Sequence, residues 1–176
     1  AEKLQKVLID EINNMTAKFK GRKADKLYIS ANTTMLHILL GEDCSSLGVA
    51  PYEPVFLERR RVDAATLGID GVGTVETLPC ASTFIGADIV AGMNLVGIPS
   101  DGKYSLLIDL GTNAEIVLMN KNGSVSTSAA AGPCFEGACI SCGTGAVSGA
   151  ICSFREGKIN TIEDKEAIGI CGTGLI

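Results

Sequence analysis

An α/β fold, with a mixed sheet that contains an antiparallel meander and helices flanking it, is what the amino-acid sequence predicts. Three observations carry that prediction. Leu4, Val7, Leu8, Ile12, Met15 and Phe19 recur at three- and four-residue steps among Lys and Glu, the period of an amphipathic helix. YSLLIDL, AEIVLMN and VSTSAAA (104–110, 114–120 and 125–131) follow one another with only GTN-type and KNGS turns between them, the spacing of a three-stranded meander. Hydrophobic residues make up 46% of the 176 residues and charged ones 20%, enough apolar mass to bury a core and too little charge for disorder.

In chain order, the first helix covers 2–19 and stops at Gly21. LYISA (27–31) reads as a short apolar strand. Asn32, Thr33 and Thr34 then offer N-cap groups to MLHILL, a helix stopped by Gly41. Between Glu42 and Pro79 the pattern weakens at Pro51, Pro54 and GIDGVG (68–73), which predicts a long connection carrying one short strand and one short helix. FIGADIVAGMNLVGI (84–98) is a helix whose small residues on one side permit close packing against a sheet. The meander begins with a strand, 104–110, apolar enough to be buried. After CFEGACISC (134–142), GAICSF (149–154) and INTI (159–162) form a second hairpin about REGK, followed by AIGICGTGLI.

Charge and cysteines exclude several functions. A net charge of -5 leaves no electrostatic footprint for nucleic acid, and Arg59, Arg60 and Arg61 are too few to change that. ERRRVD (58–63) reads as a solvated face, with docking of an acidic partner as the alternative. No apolar stretch reaches the roughly 20 residues of a membrane helix. AEKLQKVLIDEI lacks the apolar run of a signal peptide, and seven cysteines without a small-secreted spacing fit a reducing, cytoplasmic setting.

Two stretches could carry chemistry. Asp109 closes an apolar strand and is followed at once by Gly111, Thr112 and Asn113, a tip whose N–H groups and hydroxyl converge. It could cradle phosphate oxygens while Asp109 reaches Mg²⁺, or it could be a hairpin turn and no more. A Cβ at Gly111 would stand between backbone and phosphate. Cys134, Cys139 and Cys142 are spaced C-x4-C-x2-C, the run that holds a plant-type [2Fe–2S] cluster when a fourth cysteine such as Cys152 follows. Against it, Cys152 falls in a predicted strand and Cys139 between Ala and Ile, where thiols serve as small hydrophobes. His37, the single histidine, has no second His for a zinc site or a triad. GTGAVSG (143–149) follows no clean strand, and no Walker A sequence occurs.

LLIDLGTNAEIVL, then SAAAGPCFEGACISCG, then GICGTGLI resemble the nucleotide-binding core of the acetate kinase, sugar kinase, Hsp70 and actin superfamily. With ANTTMLHILLG, LGVAPYEP, FIGADIVAG and GPCFEGA, the chain from about Leu27 onwards resembles the ATP-dependent reductive activators of corrinoid proteins. These are iron–sulfur proteins that restore Co(II) corrinoid to Co(I). The resemblance implies actin/Hsp70-like, ribonuclease H-like lobes, incomplete in this chain: 1–98 as the end of a first lobe with a long connection and crossing helix, 99–176 as the start of a second, nucleotide-binding lobe.

The resemblance also implies site roles. The family's second phosphate loop falls on Asp109, Gly111, Thr112 and Asn113, with Glu115 just beyond, and Asp109 would hold Mg²⁺ with ATP. Gly132, Glu136 and Gly137 match the segment that follows the phosphate strands, and Gly172, Thr173 and Gly174 match the adenosine turn. Asp88 matches an acidic position with no role assigned. The family's first phosphate loop has no counterpart before residue 104, its [2Fe–2S] cluster belongs to a domain absent from this chain, and the family continues past the GTG turn. The expectation is therefore a fragment, inactive when isolated, whose parent binds ATP and Mg²⁺ and acts on a corrinoid protein partner. A homodimer fits as well. A docking or dimerisation lobe without nucleotide and a sugar- or acetate-kinase-like phosphotransferase are the alternatives.

Overall fold

The computed structural model describes residues 2–19 and 21–175, so the ends of the two predicted spans, residues 1 and 176, lie outside the described residues. Nine strands and four α-helices occur among them: α1 (Glu2–Ala17), β1 (Ala24–Ile29), α2 (Thr33–Leu40), β2 (Arg61–Asp63), α3 (Ala64–Leu67), β3 (Val72–Thr77), α4 (Ala87–Val96), β4 (Ser105–Leu110), β5 (Asn113–Asn120), β6 (Gly123–Ala130), β7 (Ala150–Arg155), β8 (Lys158–Thr161) and β9 (Gly169–Ile170). The strands form three sheets, ordered β1-β3-β2, β4-β5-β6 and β8-β7-β9. The chain divides into two compact units. One holds the residues up to Leu107 together with Val117–Thr127, the other Ile108–Ile116 together with those from Ser128 on. No helix among the described residues is long and apolar enough to cross a membrane.

In the first unit β3 is central, parallel to β1 and antiparallel to β2. The prediction of one short strand between Glu42 and Pro79 is corrected: there are two, and the missed one is the middle of the sheet. VGTVET hides its role because only Val75 is apolar on the face turned to the core, whereas a strand with parallel partners ordinarily reads as a continuous apolar run. Gly73 is needed there, since a Cβ would meet the Asp25 carbonyl oxygen at 2.7 Å.

The core under this sheet gathers Ile9 and Ile12 of α1, Leu36 and Leu39 of α2, Phe56, Ile69 and Val75. That corrects the predicted stripe on α1: Ile9 and Ile12 face inward, while Leu4, Val7, Met15 and Phe19 are exposed. Polar anchors choose the face. Gln5 Nε2 donates to the Leu39 carbonyl at 3.1 Å, and Asn13 bridges Gly68 O and Asp70 N–H, each at 2.8 Å. α2 starts as predicted, with Asn32 Oδ1 accepting from Met35 N–H at 2.9 Å, and ends at Gly41 in the left-handed region.

His37 is fully buried and well supplied with partners, contrary to its apolar sequence surroundings. The Val55 N–H can only donate, so Nε2 accepts from it at 3.0 Å and Nδ1 carries the proton to the Thr33 carbonyl at 2.8 Å. The ring stacks on Phe56, with centroids 4.4 Å apart, and thereby fastens α2 to the start of the long connection.

ERRRVD is likewise not a uniform solvated face. Arg60 is half-buried, its guanidinium 4.9 Å from the Phe56 ring centroid and paired with Glu58 at 2.7 Å, while Arg59 and Arg61 turn to Glu76.

In the meander α4 covers one face, where Ile85 and Ile89 pack with Met93, Leu107 and Val117. The expected small-residue contact is present: a Cβ on Gly92 would come within 3.2 Å of Leu107. β4 is not the buried strand expected, since Leu106, Ile108 and Leu110 are 58, 48 and 51% exposed. They alternate with Leu107 along β4 and so lie on the opposite, half-exposed face of the strand. In the second unit β7 pairs antiparallel with β8 as predicted and parallel with β9, a two-residue strand too short to leave a sequence pattern.

Replacing His37 with Leu keeps the volume and strands the Val55 N–H without an acceptor. Urea unfolding should show a loss of about 1–3 kcal/mol with an unchanged m-value. An unshifted midpoint would remove His37 as the fastening of the connection.

Candidate functional site

The second unit assembles the predicted residues around three turns. β4 carries Asp109 one residue before its end, with the carboxylate exposed. Gly111 to Asn113 make the hairpin tip, closed by Gly111 N–H to Asn113 O at 2.9 Å. With Gly111 and Asn113 paired across the tip, the two-residue period of strands puts Asp109 and Glu115 on one side of the hairpin. Ser128 on β6 donates to Glu115 Oε1 at 2.9 Å, a partner that sequence reasoning missed because VSTSAAA offers nothing but small side chains.

The second turn is Pro133–Glu136, entered at Gly132 and left at Gly137, both in the left-handed region. It is bound to the tip twice. Gly132 N–H donates to Thr112 O at 2.8 Å, and the Thr112 hydroxyl donates to the Glu136 carboxylate. The Thr112 hydroxyl proton is therefore committed to Glu136, while the side of Gly111 stays open beside an exposed Asn113. A Cβ at Gly111 would find open space, with only Asn113 O nearby at 3.7 Å.

The third turn, Gly172–Gly174, lies against the second. A Cβ on Gly172 would meet Phe135 O at 2.7 Å, and one on Gly137 would meet Thr144 O at 2.6 Å and Ile170 O at 3.0 Å. On Gly174 it would fall inside the Ile151 carbonyl. These glycines thus have a reason internal to the protein, close approach of main chain to main chain, in addition to any ligand. Gly143 joins them, its Cβ position occupied by the Gly137 carbonyl; GTGAVSG held that signal only as one glycine among several. Thr173 is exposed at the crown of the turn.

The structure separates the thiols by role. Cys139 and Cys142 are exposed, Cys134 and Cys152 half-buried, Cys171 buried. Cys142 uses its carbonyl to accept from Ile170 N–H at 2.8 Å, so CISC is partly a backbone edge for β9. Among the described residues no group of three or more His, Cys, Asp or Glu side chains could hold a metal ion. A hydrogen bond with Thr173 pulls the Cys171 thiol down from its ordinary pKa, against its burial, which favours the protonated form. In the first unit Asp88, in the first turn of α4, accepts from the N–H of its neighbour Ile89 at 2.9 Å.

Comparison with known proteins gives this arrangement a family. Residues 1–101 match the model of the RACo middle region, and residues 103–176 match the C-terminal domain of RACo, the ASKHA domain. The corrinoid activation enzyme RamQ of Eubacterium limosum is 36% identical over 151 residues, which cover 82% of this chain and 25% of that protein. A reductase of a Co(II) methylated amine-specific corrinoid protein from Methanosarcina barkeri is 34% identical over 124 residues, 56% of this chain and 23% of its own length. A solved reductive activator for corrinoid, iron–sulfur protein superposes with a TM-score of 0.82 at 33% identity, over 99% of this chain and 30% of that one. The chain therefore spans between a quarter and a third of the activator that was solved, and about a quarter of the two curated relatives. With its first 101 residues on the middle region and the rest on the ASKHA domain, the chain belongs to the RACo family of corrinoid activators.

Proposed function

We propose that this chain is part of an ATP-dependent activator that drives the reduction of an inactive Co(II) corrinoid protein to Co(I), and that it supplies contacts to the phosphates and adenosine of the nucleotide. The observation that carries the reading is the open side of Gly111 in a tip fastened to the Gly132–Gly137 turn, with an exposed Asp109 beside it. The names of the relatives support the corrinoid protein as the object of the reaction.

The chemistry of the tip fits a phosphate only in company with a cation. Glu136 and Glu115 already bring negative charge to it, held there by Thr112 and Ser128. An anion placed against them without counter-charge would be repelled. Asp109 is the residue to hold Mg²⁺, which when bound would neutralise the phosphate oxygens. Main chain at Gly111 to Asn113 would orient the phosphates, and the Gly172–Gly174 turn would border adenosine. Asp109, Glu115 and Glu136 then act by position and charge, and binding energy between lobes would be spent on altering the corrinoid partner.

In the full-length protein, Asp109→Ala should lower ATP turnover by about 100-fold or more while the melting temperature stays put. Undiminished turnover would remove Asp109 from the metal.

The glycines divide in a way that separates ligand from scaffold. Gly111→Ala should leave folding untouched and weaken Mg-ATP binding about tenfold or more, measured by calorimetric titration, because its Cβ meets only the space reserved for phosphate. Gly174→Ala should destabilise the second unit by about 1–3 kcal/mol, with any loss of binding following the loss of fold. Normal Mg-ATP affinity in Gly111→Ala would contradict the phosphate reading.

A further inference from the structure

The first sheet has one face in the core and one that faces outward, and the outward face is unusual in charge. Tyr28, Glu76 and Arg61 are register partners across β1, β3 and β2, so they share a face, opposite to that of Leu27, Val75 and Val62. Glu76 stands in its middle with a side chain only 2% exposed. Three cations roof it: Lys26 at 3.1 Å, Arg61 at 3.9 Å, and Arg59 in direct contact. Their own side chains are 43, 64 and 57% exposed. Asp63, at the edge of the same face, accepts from Ala65 N–H at 2.9 Å and keeps its negative charge there.

Three cations against two carboxylates, Glu76 in the middle and Asp63 at the edge, leave one positive charge in excess on this face. That excess is a local exception on a chain with a net charge of -5, and it comes with an exposed Tyr28 whose ring lies 6.0 Å from Lys26 Nζ. Arg and Tyr are the residues that dominate binding energy in protein interfaces. Glu76 also holds the three cationic chains in place before any partner arrives, which lowers the entropy lost on binding.

We propose that this face, Lys26, Tyr28, Arg59 and Arg61 arranged about Glu76, docks an acidic surface of the corrinoid protein. The assignment rests on the activator reading for the identity of its partner and adds to it the place and the sign of the contact. Because the rest of the chain is acidic, an acidic partner is repelled from most orientations and attracted to this one, so the face sets orientation and association rate.

The test uses the full-length protein and a panel of purified Co(II) corrinoid proteins, beginning with a methylated amine-specific one. Lys26→Gln with Arg61→Gln turns the face from net positive to net negative and leaves Arg59 on Glu76, so that the buried carboxylate stays paired. Stopped-flow association should slow about tenfold at low salt, with the difference vanishing at high salt, and partner-independent ATP turnover should not change. Should the double variant melt early, Arg61→Gln alone, at the longest of the three separations, should slow association about threefold. Equal rates in native and variant protein, or a loss that salt does not affect, overturn the docking assignment and leave the activator reading intact. A native protein that associates with no member of the panel overturns both.

Discussion

Main chain packed directly on main chain is the constraint on which the candidate site depends. Gly137, Gly143, Gly172 and Gly174 each occupy a place where a single methyl group would strike a carbonyl oxygen of a neighbouring turn or strand. With no side chains between them, the Pro133–Glu136 and Gly172–Gly174 turns have no rotamers to adjust, and their spacing is that of the backbone itself. The hairpin tip is then referred to this rigid base by two bonds from Thr112, one through its carbonyl and one through its hydroxyl. A site that must present amide groups to an anion gains from such rigidity, because donors fixed beforehand need no reorganisation when charge arrives.

The same bonds settle what each polar group is free to do. Thr112 looks from sequence like a phosphate-binding hydroxyl, yet its proton goes to Glu136, which leaves it the part of a strut. Glu115 is held by Ser128 in the same manner. Negative charge is thus concentrated about the tip by neutral hydroxyl donors, which orient carboxylates without cancelling them. In the proposed reading, such a tip would favour an anion that brings a divalent cation over a bare one, a selectivity that an all-amide cradle would lack.

Legibility of the sequence followed the strength of the local pattern. The meander was readable because three apolar or small-residue runs are separated by turns too short to allow another arrangement, and α4 because its small residues leave room for Leu107. β3 was not, since its outward face carries Thr74 and Glu76 and its inward face needs Gly73 for the approach of Asp25. α1 has apolar residues on two faces, and only hydrogen bonds from Gln5 and Asn13 to residues 34 and more positions away decide between them. The glycines of the candidate site are visible in the sequence as turn residues, while which atom a Cβ would meet at Gly172 or Gly174 is a fact of three dimensions.

Arg59, Arg60 and Arg61 show how one short edge can serve interior and surface together. Alternation sends Arg60 to Phe56, which in turn stacks on His37, and its main-chain N–H to Thr77 Oγ1 at 3.1 Å. The neighbours on either side go to Glu76 on the other face. The interior set, ring on ring with a buried histidine behind it, fixes the strand's register, and a slip of one residue would exchange the two faces wholesale. The cationic heads about Glu76 consequently inherit their positions from the core. A buried carboxylate is a poor source of stability when its partners are half in water, since desolvation offsets most of the attraction. What it does secure is direction: three long, otherwise mobile side chains are gathered over one point of the sheet, and their excess charge is presented as a single patch.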